Sequence, residues 1–203
     1  PYYSAILEGV EVTAKGMGYN IILGSSYSSE AQLLDYLNLL NTKLVDGIIL
    51  MEKIEKEKIM EKIKDENVFK KIVQCSEYIE ENGLTYITID HKKAAYEAVS
   101  HLISIGKKDI YLFSMKKDYT YSTLRREGLI EAMKDNGLEF KRENEILLDE
   151  LSIKEAQKHM NIILNNREVK NIGIFAVSDV IAIGVIKALN SKNIKIPQEA
   201  AIV

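Results

Sequence analysis

Asn171-Ile-Gly-Ile-Phe-Ala-Val-Ser-Asp-Val-Ile-Ala-Ile-Gly184 is the stretch whose reading decides the fold. Asn171 to Val177 is a nearly continuous apolar run, which fits a strand buried on both faces. Ser178 follows with a side-chain oxygen suited to capping a helix, and Asp179 to Ser191 then reads as that helix. A buried strand feeding straight into a helix is half of a strand-helix-strand unit. The class is therefore α/β, with parallel sheets flanked by helices on both faces.

The same rhythm extends in both directions. Upstream, a helix from Ser4 to Gly18 carries Ile6, Leu7, Val10, Ala14 and Met17 near one face, with Gly16 and Gly18 as its stop. Strands are expected at Tyr19 to Leu23, Asp46 to Met51, Lys70 to Cys75 and Tyr86 to Ile89. Between them lie a polar turn at Ser25 to Ser29, a helix bearing Leu33, Leu34, Leu37 and Leu40, and a charged helix from about Lys53 to Glu66. From Asp90 a helix runs to Ile105 and stops at Gly106, a strand covers Asp109 to Phe113, and a helix from Ser122 to Asn136 stops at Gly137. Glu145 to Leu148 reads as a strand, Ser152-Ile-Lys-Glu155 as a capping box opening a helix to Asn165, and Ala200 to Val203 as a last strand. About nine strands and seven helices fit either one doubly wound domain or two lobes. With no Gly/Ser/Pro linker, the best junction for two lobes is the strand exit at Ile87 to His91. The Leu33, Leu37 and Leu40 stripe serves a core or an interface.

Composition narrows the function. The chain has 203 residues, 46% of them hydrophobic and 28% charged, enough for a sizeable core. A net charge of -3 argues against this stretch wrapping nucleic acid, which needs clustered Lys and Arg. Cys75 is the single cysteine, so no internal disulfide forms, and no apolar run suffices for a membrane span. A cytoplasmic setting fits. The chain opens on Pro-Tyr-Tyr without an initiator Met and stops on Ala-Ile-Val, so it reads as an excerpt. A missing signal peptide therefore does not dismiss the periplasm.

Few constellations suggest chemistry. Gly16-Met-Gly18 follows a helix and precedes a strand, the wrong order for a dinucleotide loop. His91, His101 and His159 lie far apart without metal-ligand spacing, and two of them fall on expected helix surfaces. Cys75 lacks a partner base and reads as inert packing. The charged run from Glu52 to Lys64 is a solvated helix face. What remains gathers at strand exits, where ligands of parallel folds bind: Tyr2 and Tyr3, Ser25 to Ser28, Glu77 with Tyr78, Asp90 with His91, Tyr119 to Arg125, and Ser178 with Asp179. Carboxylates, a guanidinium and aromatic rings suit a sugar or nucleoside. Taken singly, the Asp and Ser residues are also explained as helix caps. No nucleophile and base are implied, no cofactor and no metal, so a binding protein is expected rather than an enzyme; an enzyme of flavodoxin-like architecture is a distant rival.

Several motifs together, in order and spacing, resemble the lactose-repressor (LacI/GalR) family. They are Pro1-Tyr-Tyr-Ser-Ala-Ile-Leu-Glu-Gly9, Val45-Asp-Gly-Ile-Ile49, Ile89-Asp-His-Lys-Lys-Ala-Ala95, His101-Leu-Ile-Ser-Ile-Gly106, Arg125-Arg-Glu-Gly128, Ser178-Asp-Val-Ile-Ala-Ile-Gly184 and Ile196-Pro-Gln-Glu199. The resemblance implies a periplasmic-binding-protein type I fold of two doubly wound parallel-sheet lobes, 1-89 and an incomplete 90-203, with Asp90 and His91 at the first crossover. It implies an effector in the cleft, contacted by Arg125, Ser178 and Asp179 of one lobe, by Glu77, and by the aromatic Tyr2 and Tyr3. It further implies a homodimer, operator DNA bound through an N-terminal helix-turn-helix of roughly 60 residues absent here, a missing first strand, and roughly 60 residues beyond Val203. The run Val73-Gln-Cys-Ser-Glu-Tyr78 is similar to cytidine-repressor-like members, which favours a nucleoside or a pentose. A periplasmic sugar-binding protein of a transporter shares the fold and is the alternative.

Overall fold

The computed structural model describes residues 2–27, 29–117, 119–167 and 169–203; Pro1 and Ser28, both named above, lie outside them. The chain's contacts divide it into two compact units. The first takes residues 1–49, 54–73 and 81–85, and the second 50–53, 74–80 and 86–203. The boundary expected at 89/90 thus differs at three short segments, 50–53, 74–80 and 86–89, which group with the second unit.

In the first unit α1 (Tyr2–Gly16) leaves Ile6, Leu7, Val10 and Ala14 half-buried and its remaining face exposed, with no residue fully buried. Gly18 ends it in the left-handed region at φ 83°, where a side chain would be strained. The strand expected at Tyr19 to Leu23 is not formed. Ile22 and Leu23 are 66% and 73% exposed, and among the described residues no segment pairs with them. Apolar β-branched residues favour a strand only when a neighbour supplies the ladder and the covering face.

Helix α2 (Glu30–Asn41) starts on Ser29, whose hydroxyl accepts the Gln32 N–H at 3.4 Å. Its Leu33, Leu37 and Leu40 are buried, so the stripe serves the core. The single charged helix expected from Lys53 to Glu66 is two, α3 (Lys56–Lys62) and α4 (Glu66–Phe69). Ile63 turns extended with φ -112° and ψ 101° while burying its side chain completely, and Asp65 caps a new start by accepting the Asn67 N–H at 2.8 Å. Asn82, buried, opens α3 from a distance: its Oδ1 accepts the Lys56 N–H at 3.0 Å and its Nδ2 donates to the Ile54 carbonyl at 2.8 Å. Strands β1 (Ile48–Leu50), β2 (Ile72–Cys75) and β3 (Thr85–Ile87) form a sheet in that order.

The second unit alternates α5 (His91–Ser104), β4 (Asp109–Met115), α6 (Thr120–Asp135), β5 (Glu145–Leu148), α7 (Ile153–Asn166), β6 (Ile172–Ala176), α8 (Asp179–Ser191) and β7 (Ala200–Ile202). Its sheet is parallel in the order β5-β4-β6-β7, in register at Leu112 with Glu145, Asp109 with Ile172, and Ile172 with Ala200. The central strand β6 is buried at every position, as its unbroken apolar sequence requires. Ser152 accepts the Glu155 N–H at 3.1 Å, the expected half of the capping box, while Glu155 faces His159 at 3.1 Å. Because the four strands are parallel, the exits of β4, β5 and β6 lie at one edge of the sheet, where the site is sought.

Candidate functional site

The β2 exit brings the first functional side chain. Ser76 adopts a left-handed φ of 73°, unusual for a residue with a Cβ, and its N–H is held by the Ile87 carbonyl at 2.9 Å. Glu77 follows, buried, with Oε2 accepting the Thr120 N–H at 2.9 Å and Oε1 left without a partner. The Thr120 hydroxyl donates to the Tyr78 carbonyl at 3.1 Å. The carboxylate thereby caps α6, whose own N-cap residue, Tyr119, contributes no side-chain cap. Tyr78 stacks on Tyr86 with ring centres 4.1 Å apart, and burial raises its phenol pKa.

One turn into α6, the Arg125 guanidinium donates through Nη1 to the Val177 carbonyl at the β6 exit. Its central carbon lies 5.5 Å over the ring of Tyr121, which stacks on Tyr119 at 5.2 Å. The His91 ring is 6.3 Å from that of Tyr121. His91 is buried and neither ring nitrogen has a partner. Burial first, and the Arg125 charge second, push its pKa down to about 4 against the weaker pull of Asp90. The second unit therefore gathers a carboxylate, a guanidinium, a neutral imidazole and aromatic rings around Tyr121.

Other candidates sit elsewhere or do other work. Tyr2 and Tyr3 belong to the first unit, each 46% exposed and packed edge-to-face at 5.3 Å. Cys75 is half-buried, and burial raises its thiol pKa, which opposes a nucleophilic role. Among the described residues no cluster of His, Cys, Asp and Glu could hold a metal, and no helix is long and apolar enough to cross a membrane.

All 203 residues match one family model, described as periplasmic binding proteins and the sugar-binding domain of the LacI family. This chain belongs to that family. The LacI/GalR resemblance and the periplasmic-binding-protein type I fold expected from the motifs are borne out. The transcriptional regulator RegA of Clostridium saccharobutylicum is 30% identical over 204 residues, which cover the whole chain and 60% of that protein. The transcriptional repressor CytR of Escherichia coli K12 is 25% identical over 210 residues, again the whole chain and 58% of the relative. The chain thus spans about 60% of the length of these curated relatives. The solved structure of the transcription regulator CcpA of Lactococcus lactis superposes with a TM-score of 0.83 at 25% identity, covering 99% of this chain and 72% of the other.

In this LacI-family chain, several motif residues have structural duties. The Ser178 hydroxyl accepts the Ile181 N–H at 3.4 Å and opens α8, while Asp179 is exposed in its first turn, where a negative charge suits the helix dipole. Asp90 accepts the Lys93 N–H at 2.9 Å and caps α5. A Cβ on Gly128 would lie 2.1 Å from the Lys92 carbonyl, and one on Gly184 2.4 Å from that of Ile153. Both glycines are thus there for helix contact. Sequence reasoning missed Gln74, fully buried with both amide atoms unpartnered, and the burial of His91. A Gln between Val73 and Cys75 in an otherwise apolar strand was the available signal.

Proposed function

We propose that this chain is the ligand-sensing core of a DNA-binding transcriptional regulator, taking a small sugar or nucleoside through Glu77, Arg125 and Ser178. The observation that carries this reading is the gathering, within the second unit, of a buried carboxylate with one unpartnered oxygen and an arginine set against aromatic rings. Such a set recognises hydroxyls and ring faces. The relatives named as regulators support a regulator over a transporter's periplasmic protein, and support a binding role over catalysis. In this reading the protein is a cytoplasmic homodimer whose operator DNA is held by a part outside this chain. Ligand and operator then alter each other's affinity by one and the same factor.

Thermal unfolding of the natural polypeptide carrying this chain, against nucleosides, pentoses and hexoses, tests the proposal. A ligand at about 100 times its Kd adds about 2.7 kcal/mol of stability. Stabilisation by one class, with operator affinity changed by that same compound, is the expected result. A folded protein that responds to no member overturns it.

A further inference from the structure

The second unit holds polar atoms that its own chain does not satisfy. Glu77, 3% exposed, leaves Oε1 without a partner, and His91, 2% exposed, leaves both ring nitrogens so. Buried polar atoms are nearly always paired, so groups like these mark places where something outside the chain completes them. Tyr121 ties the two to one neighbourhood. Glu77 holds the N–H of the residue before it, and the His91 ring lies 6.3 Å from its own. We propose that His91 is a polar contact of the bound ligand beside Glu77, and that the pair selects an uncharged, hydroxyl-bearing molecule over its phosphate ester. This rests on the ligand-sensing function above and adds to it a residue and a charge class.

The donor and acceptor inventory supports the choice. A neutral imidazole, which burial and Arg125 enforce here, has one N–H and one lone pair, the complement of a hydroxyl. The Glu77 carboxylate only accepts, so Oε1 needs a donor such as a second hydroxyl. A phosphate dianion brings acceptors alone and meets the carboxylate's charge. Arg125, the cation of the group, is already engaged, with Nη1 on the Val177 carbonyl and its guanidinium over the Tyr121 ring. Lys116 and Lys117 are exposed, Lys116 with Asp149 at 3.1 Å and Lys117 over the Tyr119 ring at 5.1 Å, so neither is buried with the group.

The test is titration calorimetry of the natural polypeptide with cytidine, adenosine, ribose, xylose and glucose, each beside its monophosphate, repeated with His91→Phe. Phenylalanine keeps a flat, slightly larger ring against Tyr121 and removes the unpartnered nitrogens, so the unliganded thermal midpoint should change little. The expected result is that a neutral compound binds, its monophosphate binds at least tenfold more weakly, and His91→Phe weakens the neutral compound tenfold or more. His91→Gln, which keeps a donor and an acceptor, should retain more affinity than Phe. A monophosphate that binds as tightly as its parent, or a folded His91→Phe variant with unchanged affinity, overturns the inference and leaves the sensing function standing. If the Phe variant does not fold, the phosphate comparison on the unaltered protein decides. Binding by no compound of either kind overturns the sensing function and this inference with it.

Discussion

The carboxylate of Glu77 accepts the backbone N–H of Thr120 at 2.9 Å across 43 residues of chain. A helix begins with orphan N–H groups and a partial positive charge, and α6 receives its cap from the β2 exit instead of from its own N-cap residue. The carboxylate that resemblance marks as a ligand contact is thus also what starts the helix carrying Arg125. The ligand contact proposed at Oε1 and the support of α6 through Oε2 would thus share one side chain.

Removal of this cap should be visible in stability before any ligand is added. Glu77→Ala deprives a buried N–H of its acceptor and should cost about 1–2 kcal/mol in urea unfolding. Glu77→Gln keeps an amide oxygen for Thr120 and should cost less than half as much. Equal stability of Glu77→Ala and the unaltered protein would show that the contact does not hold α6.

Three glycines in helices should respond to alanine in opposite directions. At Gly128 the new Cβ would lie 2.1 Å from the Lys92 carbonyl, and at Gly184 2.4 Å from that of Ile153, backbone atoms that cannot yield without parting the helices. Each substitution should destabilise by about 1–3 kcal/mol. Gly9, in α1, has nothing within 4 Å, so Gly9→Ala should stabilise by up to about 1 kcal/mol through helix propensity. Chemical denaturation of the three variants side by side checks the contrast.

Much of this architecture was legible because the second unit's signals are local. The apolar run of β6, Ser178 before α8, and glycines at positive φ after α5 and α6 each report their own element. Legibility failed where the outcome depends on a distant partner. Tyr19 to Leu23 has strand composition, yet no described segment pairs with it. The break at Ile63 follows from a buried side chain and a competing cap at Asp65, which helical periodicity does not encode. In the candidate site, the family resemblance named Glu77 and Arg125, but could not show that Thr120 and Val177 hold them, nor that His91 is buried.

His91 gives the fold a pH dependence of definite sign. Its folded pKa of about 4 lies below the ordinary 6.5, so below pH 6.5 the unfolded chain takes up a proton that the folded protein does not. Stability from this group is present above pH 6.5 and falls progressively as the pH drops toward 4. The loss between pH 7 and pH 4.5 should be on the order of 2–3 kcal/mol. Subtracting the His91→Phe profile from that of the unaltered protein isolates it, since other titrating groups are common to both. A difference that stays flat across this window would show that the imidazole is not held neutral.

Arg125 is a proposed ligand contact that also braces the fold, which makes its substitutions informative as a pair. Its Nη1 donates to the Val177 carbonyl between β6 and α8, and its plane lies near the Tyr121 ring. Arg125→Ala takes a donor from that carbonyl and should cost about 1–2 kcal/mol while leaving the protein folded. Arg125→Lys restores a positive charge and a donor but not a planar fork with several fixed N–H groups. If the arginine serves the fold through charge alone, Lys recovers the stability and the ligand response together. If the fork reads ligand hydroxyls while one arm braces Val177, Lys recovers stability and leaves ligand-induced stabilisation reduced tenfold or more in affinity. The second outcome is expected, because a point charge can brace one carbonyl but cannot at the same time present a second arm in fixed geometry. Urea unfolding with and without the compound found in the thermal screen separates the two.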